Sequence, residues 1–140
     1  MHRFLELRVR DYMTRQVMTL APATPLRDIE QEFATHDFNG FPVVEDGKLV
    51  GVVTKFDVLK AFVFTKASVV PRYRELGARA ARDVMTRDVI TFSPDVPLTR
   101  VLQTLVDFRV KSFPAVEGHR VVGIISRTDV LRAVHDAGSL

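Results

Sequence analysis

Two hydroxyl–carboxylate pairs stand out among the side chains able to do chemistry: Thr54 with Asp57, and Ser126 with Asp129. Each closes the same kind of phrase, GVVTKFD at 51–57 and GIISRTD at 123–129. Where a strand gives way to a helix, a hydroxyl three residues before an acid makes a capping box, here with Asp in place of the usual Glu or Gln. The hydroxyl accepts a backbone N–H one turn on, and the acid accepts the N–H of the capping residue. The same geometry also suits a ligand. A helix N-terminus offers unpaired N–H groups and the positive end of its dipole to a phosphate. A carboxylate one turn in accepts from vicinal ribose hydroxyls, as acids do in other nucleotide sites. The leading glycine, Gly51 or Gly123, lets backbone approach a ligand with no side chain in the way. From the phrase alone, both readings stand.

Other chemistries find less support. His2, His36, His119 and His135 fall at no metal-ligand spacing, so no metal site is expected. The chain has no G-x-x-x-x-G-K-[ST] loop, no G-x-S-x-G elbow and no repeated nucleophile–base pair. It does not read as an enzyme, and no resident cofactor is expected. Met13 and Met85 read as core packing. Phe41 and Phe113, each before a proline, do so by default, with a partial contact to an adenine as the lesser alternative.

Composition narrows the setting. The 140 residues are 46% hydrophobic, enough to bury a core, and include no cysteine, which suits a reducing cytoplasm. The longest apolar runs, Leu49–Val53 and Ala61–Phe64, are too short to span a bilayer, and the opening MHRFLELRVRD has no apolar signal core. A cytoplasmic protein with no membrane partner is expected. Net charge is +3, and the excess lies in residues 66–87. There Lys66, Arg72, Arg74, Arg79, Arg82 and Arg87 outnumber Glu75 and Asp83. That stretch gives an alternative reading, a nucleic-acid-binding module, although Tyr73 is its only aromatic for stacking.

The elements that must position the two pairs come from an internal repeat. At a constant offset of 72 residues, DYMTRQVMT aligns with DVMTRDVIT, FPVVE with FPAVE and DVLKA with DVLRA. Roughly two in five aligned positions are identical, without a gap. The copies run over 11–62 and 83–134. The expected division is 1–65 for the first repeat with its lead-in, 66–82 for a basic linker and 83–140 for the second repeat. Each copy predicts a short strand, Val17–Leu20 or Val89–Phe92, and then a helix with Pro25 or Pro97 at its first position. Leu98, Val101, Leu102, Leu105 and Val106 give that helix a buried stripe in the second copy, and Leu26, Ile29 and Phe33 a weaker one in the first. FPVVEDGKLVGVVT and FPAVEGHRVVGIIS predict hairpins, with Asp46-Gly47 suited to a type I′ turn. A last helix would turn Val58, Leu59 and Phe62, or Val130, Leu131 and Val134, inward. The order β-α-β-β-α, twice, predicts an α/β (α+β) fold. A unit of about 50 residues buries too little surface to stand alone comfortably. The copies are therefore expected to pack face to face, with pseudo-two-fold symmetry and a crevice at the seam.

The lead-in VMT, the FPVV and FPAV strands and the closing GVVTKFDVL and GIISRTDVL together resemble a tandem pair of CBS domains, the cystathionine-β-synthase-type regulatory module. The resemblance covers nearly the whole chain. It implies an adenosine-containing ligand of the AMP, ADP, ATP, S-adenosylmethionine or NAD type, a regulated partner protein, and a disc-like homodimer. It also implies sites built from both copies. One would join Thr54 and Asp57 to Val89, Thr91, Lys111, Ser112, Phe113 and Pro114. The other would join Ser126 and Asp129 to Val17, Thr19, Asn39, Gly40, Phe41 and Pro42. The acid would hold ribose and the apolar residues would enclose adenine. Arg109 and Lys111 make the first set the better expected host for a polyphosphate, since the second faces Asp37.

Overall fold

Turn chemistry sets the two hairpins, as the computed structural model describes them across residues 3–63 and 78–138. Strand β1 (Gly40–Glu45) returns as β2 (Lys48–Thr54) through Asp46 and Gly47, both at positive φ (51° and 77°). That is the type I′ geometry expected of Asp-Gly. Strand β3 (Ser112–Glu117) returns as β4 (Arg120–Ser126), where Gly118 takes φ 62° and His119 does not join it. The second turn thus follows the type II′ pattern, with glycine first. Both hairpins are antiparallel and both slip register once, between Val43 and Val44 and between Ala115 and Val116.

The helices among the described residues are α1 (Val9–Tyr12), α2 (Leu26–Thr35), α3 (Lys55–Ala61), α4 (Ala81–Val84), α5 (Leu98–Phe108) and α6 (Arg127–Gly138). A 3-10 turn, Arg3–Glu6, precedes them. Pro25 and Pro97 cap α2 and α5 rather than open them, one position earlier than expected. The reason lies in the next amide. Leu26 N–H bonds the carbonyl of Arg79 (2.6 Å) and Leu98 N–H that of Leu7 (3.0 Å), so the first helical residue has an N–H to offer that proline lacks.

Two compact units result, Met18–Val89 and the combination of Met1–Val17 with Ile90–Leu140. Each contains the hairpin and long helices of one copy together with the one-turn helix of the other. In the first unit, Ala81 N–H bonds Thr24 O (2.9 Å) and Arg82 N–H bonds Pro22 O (3.0 Å). In the second, Val9 N–H bonds Val96 O (2.9 Å) and Arg10 N–H bonds Pro94 O (3.0 Å). The residues after α1 and α4 then line the hairpin edges. Thr86 exchanges both backbone bonds with Val52, at 2.9 Å each, and Thr14 does the same with Ile124, at 2.8 and 2.9 Å.

The glycines opening the two phrases serve this arrangement. A Cβ on Gly51 would stand 2.7 Å from Met85 Sδ, and one on Gly123 would stand 2.7 Å from Met13 Sδ. The space expected for a ligand is filled by methionine, which confirms the packing role of Met13 and Met85.

Three further expectations need correction. The strands predicted at Val17–Leu20 and Val89–Phe92 shrink to single bridging residues, Leu20 beside Val43 and Phe92 beside Ala115. Proline two residues on, Pro22 or Pro94, offers no N–H to continue the pairing. The stripe on α5 is narrower than predicted: Leu98, Val101 and Leu105 are buried, but Leu102 and Val106 are exposed. On α3 and α6, Val58 and Val130 face inward as predicted, whereas Leu59 and Leu131 point to solvent. Of the linker 66–82, residues 66–77 lie outside the described part, among them Lys66, Arg72, Tyr73 and Arg74.

Candidate functional site

Strand β2 ends at Thr54 because its hydroxyl diverts the backbone into a cap. Thr54 is extended (φ −100°, ψ 167°), and its Oγ1 accepts the N–H of Asp57 at 3.1 Å. Asp57 answers through Oδ2, which accepts the N–H of Thr54 (2.9 Å) and its hydroxyl (3.0 Å). The capping box is complete. Ser126 and Asp129 repeat it, with Ser126 N–H and hydroxyl both 2.9 Å from Oδ2 and Asp129 N–H 3.2 Å from Oγ. Both acids are buried, Asp57 to 3% exposure and Asp129 to 5%.

The capping reading is therefore observed, and it uses one oxygen of each carboxylate. The other oxygen, Oδ1, is turned to different neighbours. At Asp57 it meets the ammonium of Lys60 (3.3 Å) and the hydroxyl of Thr86 (3.1 Å), the latter also 3.3 Å from Oδ2. At Asp129 it meets Arg132 Nη2 at 3.4 Å. Arg132 is drawn elsewhere too: the same nitrogen donates to the carbonyl of Tyr12 (3.4 Å), and the guanidinium lies 5.3 Å from the centre of the Tyr12 ring.

The remaining expected residues divide between the units. With Thr54 and Asp57 lie Thr19, Asn39, Gly40, Phe41, Pro42 and Val89, and the hairpin register places Gly40 opposite Thr54 and Phe41 opposite Val53. With Ser126 and Asp129 lie Val17, Thr91, Arg109, Lys111, Ser112, Phe113 and Pro114, with Ser112 opposite Ser126. Arg109 ends α5 in the left-handed conformation (φ 55°). Arg127 fastens this corner: its N–H bonds Lys111 O (2.9 Å) and its side chain bonds the carbonyls of Arg109 (3.0 Å) and Val110 (3.3 Å). The Arg109 and Lys111 side chains are exposed. The rings of Phe41 and Phe113 are only 1% exposed, and they pack on Phe33 and Phe38 and on Phe92 respectively.

Sequence reasoning missed Thr86, Lys60 and Arg132. The one signal for Thr86 was its identity with Thr14 in the aligned MTR triplets, which read simply as a turn. Among the described residues no group of three or more His, Asp or Glu side chains is placed to hold a metal ion, and no helix is long and apolar enough to cross a membrane.

A family model for the CBS domain matches residues 9–64 and 81–136. The uncharacterized protein MJ1225 of Methanocaldococcus jannaschii is 32% identical over 131 residues, covering 89% of this chain and 46% of that protein. An inosine-5'-monophosphate dehydrogenase of Thermoplasma acidophilum is 37% identical over 119 residues, 84% of this chain and 21% of the enzyme. The chain thus spans less than half the length of these relatives. The crystal structure of MJ1225 superimposes with a TM-score of 0.83 at 29% identity, covering 91% of this chain and 47% of that one. The CBS domain pair of protein MJ0100, solved in complex with 5'-methylthioadenosine and S-adenosyl-L-methionine, gives 0.75 at 25% identity, with 94% and 98% covered.

Proposed function

The chain belongs to the CBS-domain family, and we propose that it is a regulatory module that binds an adenosine-containing ligand and signals its occupancy to a partner protein. The observation that carries this reading is the division of labour within each acid. All capping bonds go to Oδ2, in both copies, and Oδ1 meets side chains that a ribose hydroxyl can replace. The ligands bound by the MJ0100 pair, both adenosine derivatives, support the same ligand class.

The ligand-binding residues we propose are those that the family resemblance implies, with Asp57 and Asp129 as the ribose acceptors. Because the Phe41 and Phe113 rings are committed to the core, these positions would serve a ligand through backbone groups. Arg109 and Lys111 are the cations proposed for phosphates. The module carries no reaction of its own in this reading; it is a sensor, and the sequence relationship to a dehydrogenase concerns only 21% of that enzyme.

A thermal-shift screen of AMP, ADP, ATP, S-adenosylmethionine and NAD tests the proposal. A compound present at a hundred times its dissociation constant should stabilise the fold by about 2.7 kcal/mol. Asp57→Ala combined with Asp129→Ala should abolish the shift. If no adenosine compound stabilises a nucleotide-free preparation, the reading fails.

A further inference from the structure

Asp57 and Asp129 hold matching places in matching phrases, yet their carboxylates are not equally engaged. Four donors reach Asp57: the N–H and hydroxyl of Thr54, the hydroxyl of Thr86 and the ammonium of Lys60. Three reach Asp129: the N–H and hydroxyl of Ser126 and the guanidinium of Arg132. A carboxylate has about four acceptor positions, so Asp57 meets a protein donor for each of them and Asp129 meets one protein donor fewer, at Oδ1. Lys60 and Arg132 are both about half exposed and do not make the difference. Thr86 does. Its counterpart Thr14 makes no hydrogen bond to Asp129 among the described residues, although both threonines are fixed by the same pair of backbone bonds.

The Thr86 hydroxyl cannot retreat with its backbone. Both its N–H and its C=O are tied to Val52 at 2.9 Å, and neighbouring Met85 is wedged against Gly51. Only rotation about χ1 can release the hydroxyl, and threonine is stiff there because it is β-branched.

We propose that Thr86 is a specificity-determining residue that masks Asp57 from a ribose diol, so that an adenosine ligand fills the Asp129 site first. Entry at Asp57 then requires the ligand's hydroxyls to displace that of Thr86. This deepens the adenosine-sensor reading and rests on it.

Calorimetry with AMP and 2'-deoxy-AMP tests it on the whole chain. The native protein should show unequal sites, with Asp129→Ala removing the tighter and Asp57→Ala the weaker. In the Asp129→Ala background, Thr86→Val should tighten AMP binding about fivefold, the worth of one competing hydrogen bond, while Thr86→Ser, which keeps the hydroxyl on a freer χ1, should fall between the native residue and valine. 2'-Deoxy-AMP, lacking one hydroxyl of the diol, should gain less from Thr86→Val. Thr14→Val should leave the tighter site unchanged. Unchanged or weaker AMP binding in Thr86→Val would overturn the proposal and make Thr86 a bystander or a ligand contact instead. Equal native sites would overturn it as well. Absence of binding in every variant is a different result: it removes the adenosine reading itself, and the proposal with it. Should Asp129→Ala fail to fold, Asp129→Asn retains an acceptor for the cap and serves in its place.

Discussion

Tyr12 carries a pH dependence that no local pattern announces. Its hydroxyl donates to Asp136 at 2.7 Å, and this bond to a carboxylate is the main reason its pKa rises above the usual 10. Desolvation adds to the shift, while Arg132 opposes it. The folded state therefore holds the phenolic proton more tightly than the unfolded chain does. The stabilisation is fully present below about pH 10 and is lost as pH rises through the elevated value. Denaturant unfolding of the native protein and Tyr12→Phe should show stabilities that converge above about pH 10, with the native protein losing more. Parallel curves up to the alkaline limit would contradict this. The legibility of such contacts follows their span in sequence. Thr54 and Asp57 are three residues apart on one helix turn, and periodicity alone pairs them. Thr86 reaches Asp57 across 29 positions and Tyr12 reaches Asp136 across 124, and no local rule registers either.

At the scale of elements, the hairpins were legible because their turn residues and alternation act over a few neighbours. The short strands were not, since a single bridging residue has no periodicity to detect. The docking of α1 and α4 was equally hidden, although the two glycine–methionine contacts make it testable. Gly123→Ala would push a methyl into Met13, whose side chain is buried, and overpacking of this kind costs about 1–3 kcal/mol. Adding Met13→Ala should relieve part of that cost, so the double variant should be more stable than the sum of the singles implies. Strict additivity in urea unfolding would show that the contact is not the cause. A ligand-facing glycine predicts otherwise: substitution would then weaken binding and leave stability nearly untouched.

On the whole molecule, apolar surface is left over. One unit exposes Phe56, Leu59 and Val63, the other Val106, Phe108 and Leu131, each between 62% and 70%. Where such side chains form a contiguous patch, they mark a surface that meets a partner. A homodimer formed by helices of both copies is the expected state, as the family resemblance also implies. Light scattering at tens of micromolar should return twice the 15.8 kDa of one chain. Leu59→Glu with Leu131→Glu should return the monomer mass; a native monomer would refute the assignment. The placement of α1 has a different consequence, one of timing. Met18–Val89 is a continuous stretch, and all its residues exist once Val89 has been made. Val9, Met13 and Thr14 instead find their seats at Val96, Gly123 and Ile124. At about 5–20 residues per second, a ribosome leaves Met13 without Gly123 for on the order of ten seconds. Residues made before Met18–Val89 are thus buried only after that unit is complete.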